Sequence, residues 1–600
     1  MQIIDYSIVA LYLIGTLVLG IVLERKASGG IESYFLGDRN LPWWLLGVSG
    51  MAANTDLAGT MVISALIYSL GTHGFFIEIR GGIVLIMAFL MTFMGKWNRR
   101  AQVMTMAEWM KFRFGPGRQG NIARIVSAIA TLMFSIGTMS YFAVAGGKFL
   151  GEFLGVNDRW ASILLILFSL LYTVISGFYG VVFTDLFQGV LILIGILCVC
   201  FIAFTTVNLP ESFPVALAGT DQVKTWSYAD WSSILPSPTL DLPGDYSIFN
   251  LFAGVVGFYL LKTIIDGCSG SGGYMLQRYL AAKSDRDAGL LSLFWIILLS
   301  FRWPLVTAFA MLGIHYGLTK GTITDPELIL PTVIAEYIPV GLKGLLVSFF
   351  LAAAMSTFSA IINASAAYWV KDIYQAYLRP QAPNRELIFQ SRLASTVIVV
   401  IGLVFSFNIT NINDIWGWLT TGLGVGLAVP LLFRWYWWRF NGYGFSWGTL
   451  AGMLGAIAVQ IVIKTNTIPF LDNPQTHEYL LFGVPFIASI FGCIIGTLMT
   501  EPTEREVMEN FYRVTRPFGF WGDITQSVKP SVLAKIKAEN QRDIVATFIA
   551  VPWQLNLFLI GIMIMMKQWD NVKILALSLL LLSIGLYFTW FRYLSKEVKV

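Results

Sequence analysis

Apolar residues in this chain neither alternate nor recur in narrow helical stripes. They run in long blocks, the pattern of helices that are apolar all round. Fifteen blocks stand out, near 5–24, 41–70, 74–96, 122–154, 159–178, 181–207, 249–276, 289–317, 341–370, 389–408, 412–433, 446–464, 478–499, 545–566 and 572–591. A membrane-spanning helix needs roughly 20 such residues. The pattern therefore predicts an all-α polytopic membrane protein with about 15 transmembrane helices. The first block is too long for a signal-peptide core and no small-residue cleavage site follows it, so it reads as a span.

Two blocks contradict their own apolar character. In lipid every backbone polar group needs an internal partner, so a span should be unbroken helix. Yet GVSGMAANTDLAGTMV at 47–62 sets the polar run Asn54-Thr55-Asp56 among Gly47, Gly50 and Gly59. IIDGCSGSGGYMLQR at 264–278 sets Ser269 and Ser271 among Gly267, Gly270, Gly272 and Gly273. Glycines clustered with polar groups mark places where a helix can unwind. Such breaks persist where the backbone lines a cavity, and breaks at matched positions of two halves point to a transporter's midplane site. The alternative is that the glycines are only close-packing faces. A third block, FFLAAAMSTFSAIINASAAYWVKDIY at 349–374, is rich in small and hydroxyl residues. Its Ser356-Thr357 pair could present two hydroxyls beside unwound carbonyls of 52–55, an oxygen cage suited to Na⁺; back-bonding to the preceding turn is the bland alternative.

Composition agrees with the blocks. Of 600 residues, 56% are hydrophobic and 12% charged, and mean hydropathy is +0.70. Soluble domains carry about 25% charged residues, so an ordinary soluble enzyme, a disordered scaffold and a nucleic-acid reader are excluded. The net charge of +5 is a matter of topology. With the N-terminus outside, the inner segments are 25–40, 96–124, 278–287, 371–392, 434–442, 501–544 and 592–600, and they hold 29 of the 40 Lys and Arg. The outer loop 208–248 holds only Lys224. Cationic residues concentrate on the cytoplasmic side, which also puts the C-terminus inside.

Chemistry of other kinds is thinly represented. Cys198, Cys200, Cys268 and Cys493 sit in apolar surroundings without metal-type spacing, and His73, His315 and His477 are scattered. Neither a Ser/His/Asp set nor HExxH is present, so the chain does not read as an enzyme. Ionisable residues inside spans are costly and normally functional. Glu78 and Arg80 open the third block; Lys262 and Asp266, four apart, share a helix face and can pair. Arg302 has no acid near it in sequence and is a candidate for holding a polar or anionic substrate, with Asp266 as a possible bridge. Tyr274 and Gln277 are candidate hydrogen-bond donors to it. The run FRWYWWRF at 433–440 reads as an interfacial belt.

Four stretches, YFLGDRNLPWWLLGVSGMAAN, GFYGVVFTDLFQG, YMLQRYLAAKS and LAAAMSTFSAIINASAAYWVKDIY, together resemble the sodium:solute symporter family over about 1–500. The resemblance implies a LeuT-like fold: a 5+5 inverted repeat with extra N- and C-terminal helices. It also implies a Na⁺ site from the carbonyls of Ala52, Thr55 and Ala353 and the hydroxyls of Ser356 and Thr357. Asp185 matches a family carboxylate near the sodium path; its alternative is a helix N-cap near the inner surface. Asn54 is shared with family sugar carriers, but Gly59 stands where they place a glutamine and Gly272 where they place an asparagine. Asp56 matches either a substrate-contacting serine or, shifted by one, the sodium-serving aspartate of proline carriers.

The expected organisation is an extra helix and inner loop at 1–40, a first repeat at 41–207, an outer loop at 208–248 and a second repeat at 249–442. Accessory helices follow at 443–500, then a cytoplasmic segment of one or two surface helices at 501–544, and two helices with an inner tail at 545–600. The expected function is alternating-access symport of Na⁺ with a small polar solute. Substrate candidates are Asn54, Asp56, Glu78, Asp266, Tyr274, Gln277 and Arg302. Sugars or polyols are favoured; amino acids or carboxylates, or a solute sensor, are the alternatives. Partners are the solute, Na⁺ and the lipid bilayer, with no nucleic acid, and the expected location is a bacterial inner membrane.

Overall fold

The computed structural model describes residues 1–27, 35–217, 223–270, 272–321, 323–409, 411–465 and 474–594. Ser271 and the last residues of the inner tail, both used in the sequence reading, lie outside them. The described chain is almost wholly helical. Its one sheet is a hairpin of β1 (Ser212–Ala216) and β2 (Val223–Ser227) in the loop at 208–248.

Among the described residues, twelve helices are long and apolar enough to cross a membrane, and a bent pair makes a thirteenth. That pair is α2 (Trp43–Asn54) and α3 (Leu57–Leu70), which follow α1 (Ile3–Ala27) and meet at 59°. The two remaining expected spans take other forms. The third, 74–96, is cut into a helix over Thr72–Ile77, a tight turn over Glu78–Arg80, and helical pieces from Ile86 to Arg100. Val84 in the gap has φ +52°, a left-handed conformation that a β-branched residue adopts only under constraint.

The expected spans 159–178 and 181–207 lie on one helical run, α5 (Asp158–Thr206), after α4 (Arg118–Leu154). It is not straight. Leu165 touches Gly146 of α4, Gly195 touches Phe349, and the ring of Phe149 packs tilted against Phe350, centroids 5.5 Å apart. Residues 165 and 195 therefore sit at one level, whereas a straight helix would separate them by roughly 45 Å. The chain doubles back between them, so α5 contributes two antiparallel arms.

The second half begins with α6 (Phe252–Ser269) and α7 (Gly273–Leu280), separated by a break in which Gly270 has φ +83°. Then come α8 (Asp285–Leu299), α9 (Arg302–Thr319) and α10 (Leu342–Ala367). The most apolar window of α10's span is 94% buried, which places it at the centre. Its small residues allow that close approach. The extra helix α1 is tied to it by Asp5, whose Oδ1 accepts from Gly341 N at 2.8 Å and Gly344 N at 2.9 Å. A carboxylate there satisfies amides at the start of α10 and complements its dipole.

Helices α11 (Asn384–Ser406), α12 (Gly424–Tyr436), α13 (Gly442–Thr465) and α14 (Pro474–Leu498) follow. The segment 501–544 is not a set of surface helices only. After α15 (Arg505–Thr515), residues from Pro530 continue without interruption into α16 (Pro530–Met565), and α17 (Trp569–Thr589) returns. Glu539 and Asp543 explain the continuity: they pair with Lys96, each at 2.7 Å, so that stretch docks on protein.

Candidate functional site

The first broken span is held open by side chains from distant helices. Thr55 leaves helical geometry (φ −88°, ψ 62°) and Asp56 starts α3 as its N-cap, accepting from Gly59 N at 2.7 Å. The same carboxylate takes Arg302 Nη2 at 3.0 Å, while Arg302 Nη1 donates to Asn54 O at 2.8 Å. Arg302 thus reaches Asp56 rather than Asp266, because the bend turns Asp56 toward the start of α9 and Lys262 already occupies Asp266 at 2.6 Å. Gly59 fits this arrangement: a Cβ there would stand 2.4 Å from Arg302 Nη2. The guanidinium fills the space beside a residue that has no side chain.

On its other side the break meets α10. Thr357 Oγ1 donates to Ala53 O at 2.8 Å and lies 3.1 Å from Ala353 O. Ser356 Oγ donates to Asp185 Oδ1 at 2.5 Å. Asp185 is no helix cap. It lies inside α5, fully buried, with Oδ2 accepting from Ser49 Oγ at 2.5 Å and from Arg278 Nη2 at 3.3 Å. A buried carboxylate must be paired and hydrogen-bonded to persist, and this one has both. Ala52, Thr55, Ala353, Ser356 and Thr357 are all buried.

A cavity of about 370 Å³ opens against these elements. Asn54, Asp56, Glu78, Asp266, Tyr274, Arg302 and Thr357 line it, together with Tyr141, Trp416 and Thr420. Asn54 Nδ2 donates to Tyr274 Oη at 2.7 Å, so that hydroxyl keeps its own proton to give. Glu78 pairs with Arg80 at 2.9 Å. The three acids on the wall therefore each have a basic partner. Gln277 is not on the wall: its amide donates to Phe35 O at 2.7 Å, which ties α7 to the loop between α1 and α2.

The second break also lines the cavity, through Ser269, Gly270, Gly272 and Gly273, and side chains of α12 take its freed carbonyls. Arg434 and Trp435 both donate to Ser269 O (3.3 and 3.1 Å), and Tyr436 Oη donates to Cys268 O at 2.8 Å. The aromatic run at 433–440 is thus largely an inward clamp and not a lipid belt; Arg434 and Trp435 are fully buried.

Ser49, Arg278 and Tyr141 were not singled out in the sequence. Ser49 lies between two glycines of the broken span, a signal that could have drawn attention to it. Arg278 reads as one more inner-side positive charge, and Tyr141 as one aromatic in a long apolar helix.

The sodium:solute symporter family model matches residues 34–452. The chain belongs to this family. It is 25% identical to a sodium/glucose cotransporter of Vibrio parahaemolyticus, over 81% of this chain and 89% of that protein. It is 25% identical to the zebrafish (Danio rerio) sodium/glucose cotransporter 4, over 80% and 75%. With the high-affinity proline transporter of Bacillus subtilis it shares 24% identity, over 81% and 96%. Among solved structures, a Na⁺-coupled sialic acid symporter in a substrate-bound outward-open state superposes with a TM-score of 0.61 at 18% identity, covering 84% of this chain and 99% of that one. The shared fold is the LeuT-like inverted repeat. The symporter family's C-terminal boundary falls inside α13, so α14 to α17 lie beyond the match.

Proposed function

We infer that this symporter couples inward Na⁺ flow to uptake of a neutral, hydroxyl-bearing solute, a sugar or polyol, by alternating access. The observation that carries the reading is the meeting of Ser356, Thr357 and Asp185 with the first break. The donor set is all oxygen, as a hard cation prefers. Because Ser356 gives its proton to Asp185, its lone pairs face away from the carboxylate and suit a cation. The carbonyls of Ala52, Thr55 and Ala353 and the hydroxyls of Ser356 and Thr357 would hold Na⁺, with Asp185 supplying compensating charge nearby. A bound ion would brace the broken α2 against α10 and so favour the state that binds solute; by linkage, solute would then favour ion binding equally.

Charge balance at the cavity favours a neutral solute over a carboxylate. Asp56, Glu78 and Asp266 are paired with Arg302, Arg80 and Lys262, so an anion would have to displace an acid from its partner. Asn54, Tyr274 and Asp266 would contact solute hydroxyls. The sugar carriers among the relatives agree with this, and the proline carrier marks the competing class. The Lys and Arg distribution supports an outside N-terminus and an inside C-terminus in a bacterial inner membrane, with the two repeats at 41–207 and 249–442.

The test is uptake of labelled D-glucose, D-mannose, myo-inositol and L-proline into proteoliposomes with an inward Na⁺ gradient. One of the three hydroxylated solutes is expected to accumulate, and Ser356→Ala with Thr357→Ala to abolish the Na⁺ stimulation while insertion is unchanged. Unaltered Na⁺ dependence in the double variant would reject the ion site; uptake of proline alone would reject the solute class.

A further inference from the structure

The third span carries a break beside Glu78, Arg80 and Gly81-Gly82, and its backbone is met from two sides. From α6, Lys262 Nζ donates to Arg80 O at 2.7 Å and Thr263 Oγ1 to Ile79 O at 2.9 Å. From α16, outside the family-matched region, Gln554 Nε2 donates to Ile83 O and Val84 O, each at 3.2 Å. Gln554 is fully buried in an apolar helix. An amide in that setting is costly unless its groups find partners. Here Nε2 finds the carbonyls on either side of the left-handed turn at Val84, of which Val84 O also accepts from Met87 N, while Oε1 has no partner among the described residues.

Helix α16 is fixed to the same span at two further levels. Thr547 and Thr92 share a hydrogen bond of 2.7 Å. Below them lies the Lys96 cluster with Glu539 and Asp543. At the other end, Lys567 donates to Val207 O at 3.0 Å and Gln568 to Ser232 Oγ at 2.9 Å, which docks the turn after α16 on the loop at 208–248. Phe558 stacks on Trp303 of α9, next to Arg302, at 5.8 Å. So α16 runs along the third span from end to end, and Gln554 meets it where residues 78–86 form one wall of the cavity.

We propose that Gln554 is a positioning residue for solute binding: through the Ile83–Val84 turn it holds the wall that presents Glu78 and Arg80, and so makes solute affinity depend on the C-terminal hairpin. The proposal rests on the reading of the cavity as the solute site. The wall and the cation site are held by different donors. Loss of Gln554 should therefore act on solute KM and leave half-saturating Na⁺ alone.

The experiment compares full-length wild type, Gln554→Met, which keeps shape and loses both donor hydrogens, and Gln554→Glu, which keeps one donor when protonated. Thr547→Val is the control on the same helix, away from the wall. Amide hydrogen exchange over 78–86 and Na⁺-driven uptake of D-glucose, D-mannose and myo-inositol are measured in liposomes. Gln554→Met is expected to speed exchange over 78–86 tenfold or more, with 54–60 unchanged, and to raise KM fivefold or more with kcat and half-saturating Na⁺ within twofold. Gln554→Glu should fall between it and wild type, and Thr547→Val should match wild type. Unchanged exchange in Gln554→Met, a defect confined to kcat, or equal defects in the Met and Glu variants would overturn the proposal. So would failure of both to insert, since Gln554 would then be a packing residue only. Absence of uptake of D-glucose, D-mannose and myo-inositol alike by wild type would count against the sugar reading, while the exchange arm would still decide the role of Gln554.

Discussion

The breaks at 54–56 and 270–272 are built from similar residues and end in different environments. At the first, the carbonyls of Ala53 and Asn54 receive a hydroxyl from α10 and a guanidinium from α9, and a buried carboxylate stands one residue away from that hydroxyl. At the second, three consecutive side chains at the end of α12 take the carbonyls of Cys268 and Ser269. Ser269 Oγ also donates to Ala428 O at 2.9 Å. Both breaks satisfy the rule that backbone in a membrane must find partners. Both line the same cavity; they differ in that the first carries an acid, Asp56, paired with Arg302, whereas the second is met by Arg434, Trp435 and Tyr436. A glycine cluster tells where a span will open, and the neighbouring helices decide what the opening is for.

Arg278→Met should separate the two breaks most sharply. It leaves Asp185 buried beside two hydroxyls without its cationic partner, and removing one member of a buried pair costs about 3–5 kcal/mol. Loss of Na⁺-driven uptake together with a lowered melting temperature in detergent is expected; a variant that melts and transports like wild type would show that the charge pair does not support the first break.

Asp56→Asn tests the same break more gently. Asparagine still caps α3, but Arg302 loses its ion pair. Hydrogen bonds to charged groups are worth about 1.5–3 kcal/mol. Roughly a tenfold rise in solute KM is therefore expected, read from concentration-dependent uptake, with a smaller change in half-saturating Na⁺. Equal weakening of both would place Asp56 on the ion site.

Tyr436→Phe at the second break should have the smallest effect. One hydrogen bond to Cys268 O is removed, a change of about 1 kcal/mol. A small loss in thermal stability is expected, with both transport constants unchanged. A shifted Na⁺ dependence would mean that the second break also serves the ion, and the contrast between the two would fail.

Much of the architecture was legible in the chain, because membrane helices report themselves through apolar length and glycine with polar residues reports unwinding. The break in the third span was missed although FFIEIRGGIVLIM carries the same kind of signal, Glu78 and Arg80 beside Gly81-Gly82; what holds that gap open, donors from 262, 263 and 554, is not local. The two arms of α5 were readable as two blocks even though the helix is continuous. Arg302 could be marked as a charge needing an acid, but Lys262 claims Asp266 locally, and only the bend at Thr55 brings Asp56 to it. Gln277 shares the amphipathic helix of Tyr274 yet faces the loop between α1 and α2.

Local composition determined which segments cross the bilayer, where two of them unwind, and that an alcohol pair sits on a small-residue helix, since each follows from hydropathy or backbone freedom within a few residues. Long-range contacts decided that Arg302 neutralises Asp56 and Arg278 neutralises Asp185, which donors take the freed carbonyls, and how a helix beyond the family-matched region joins the cavity wall. Those outcomes depend on distances between helices, and no short stretch of sequence encodes a distance to another.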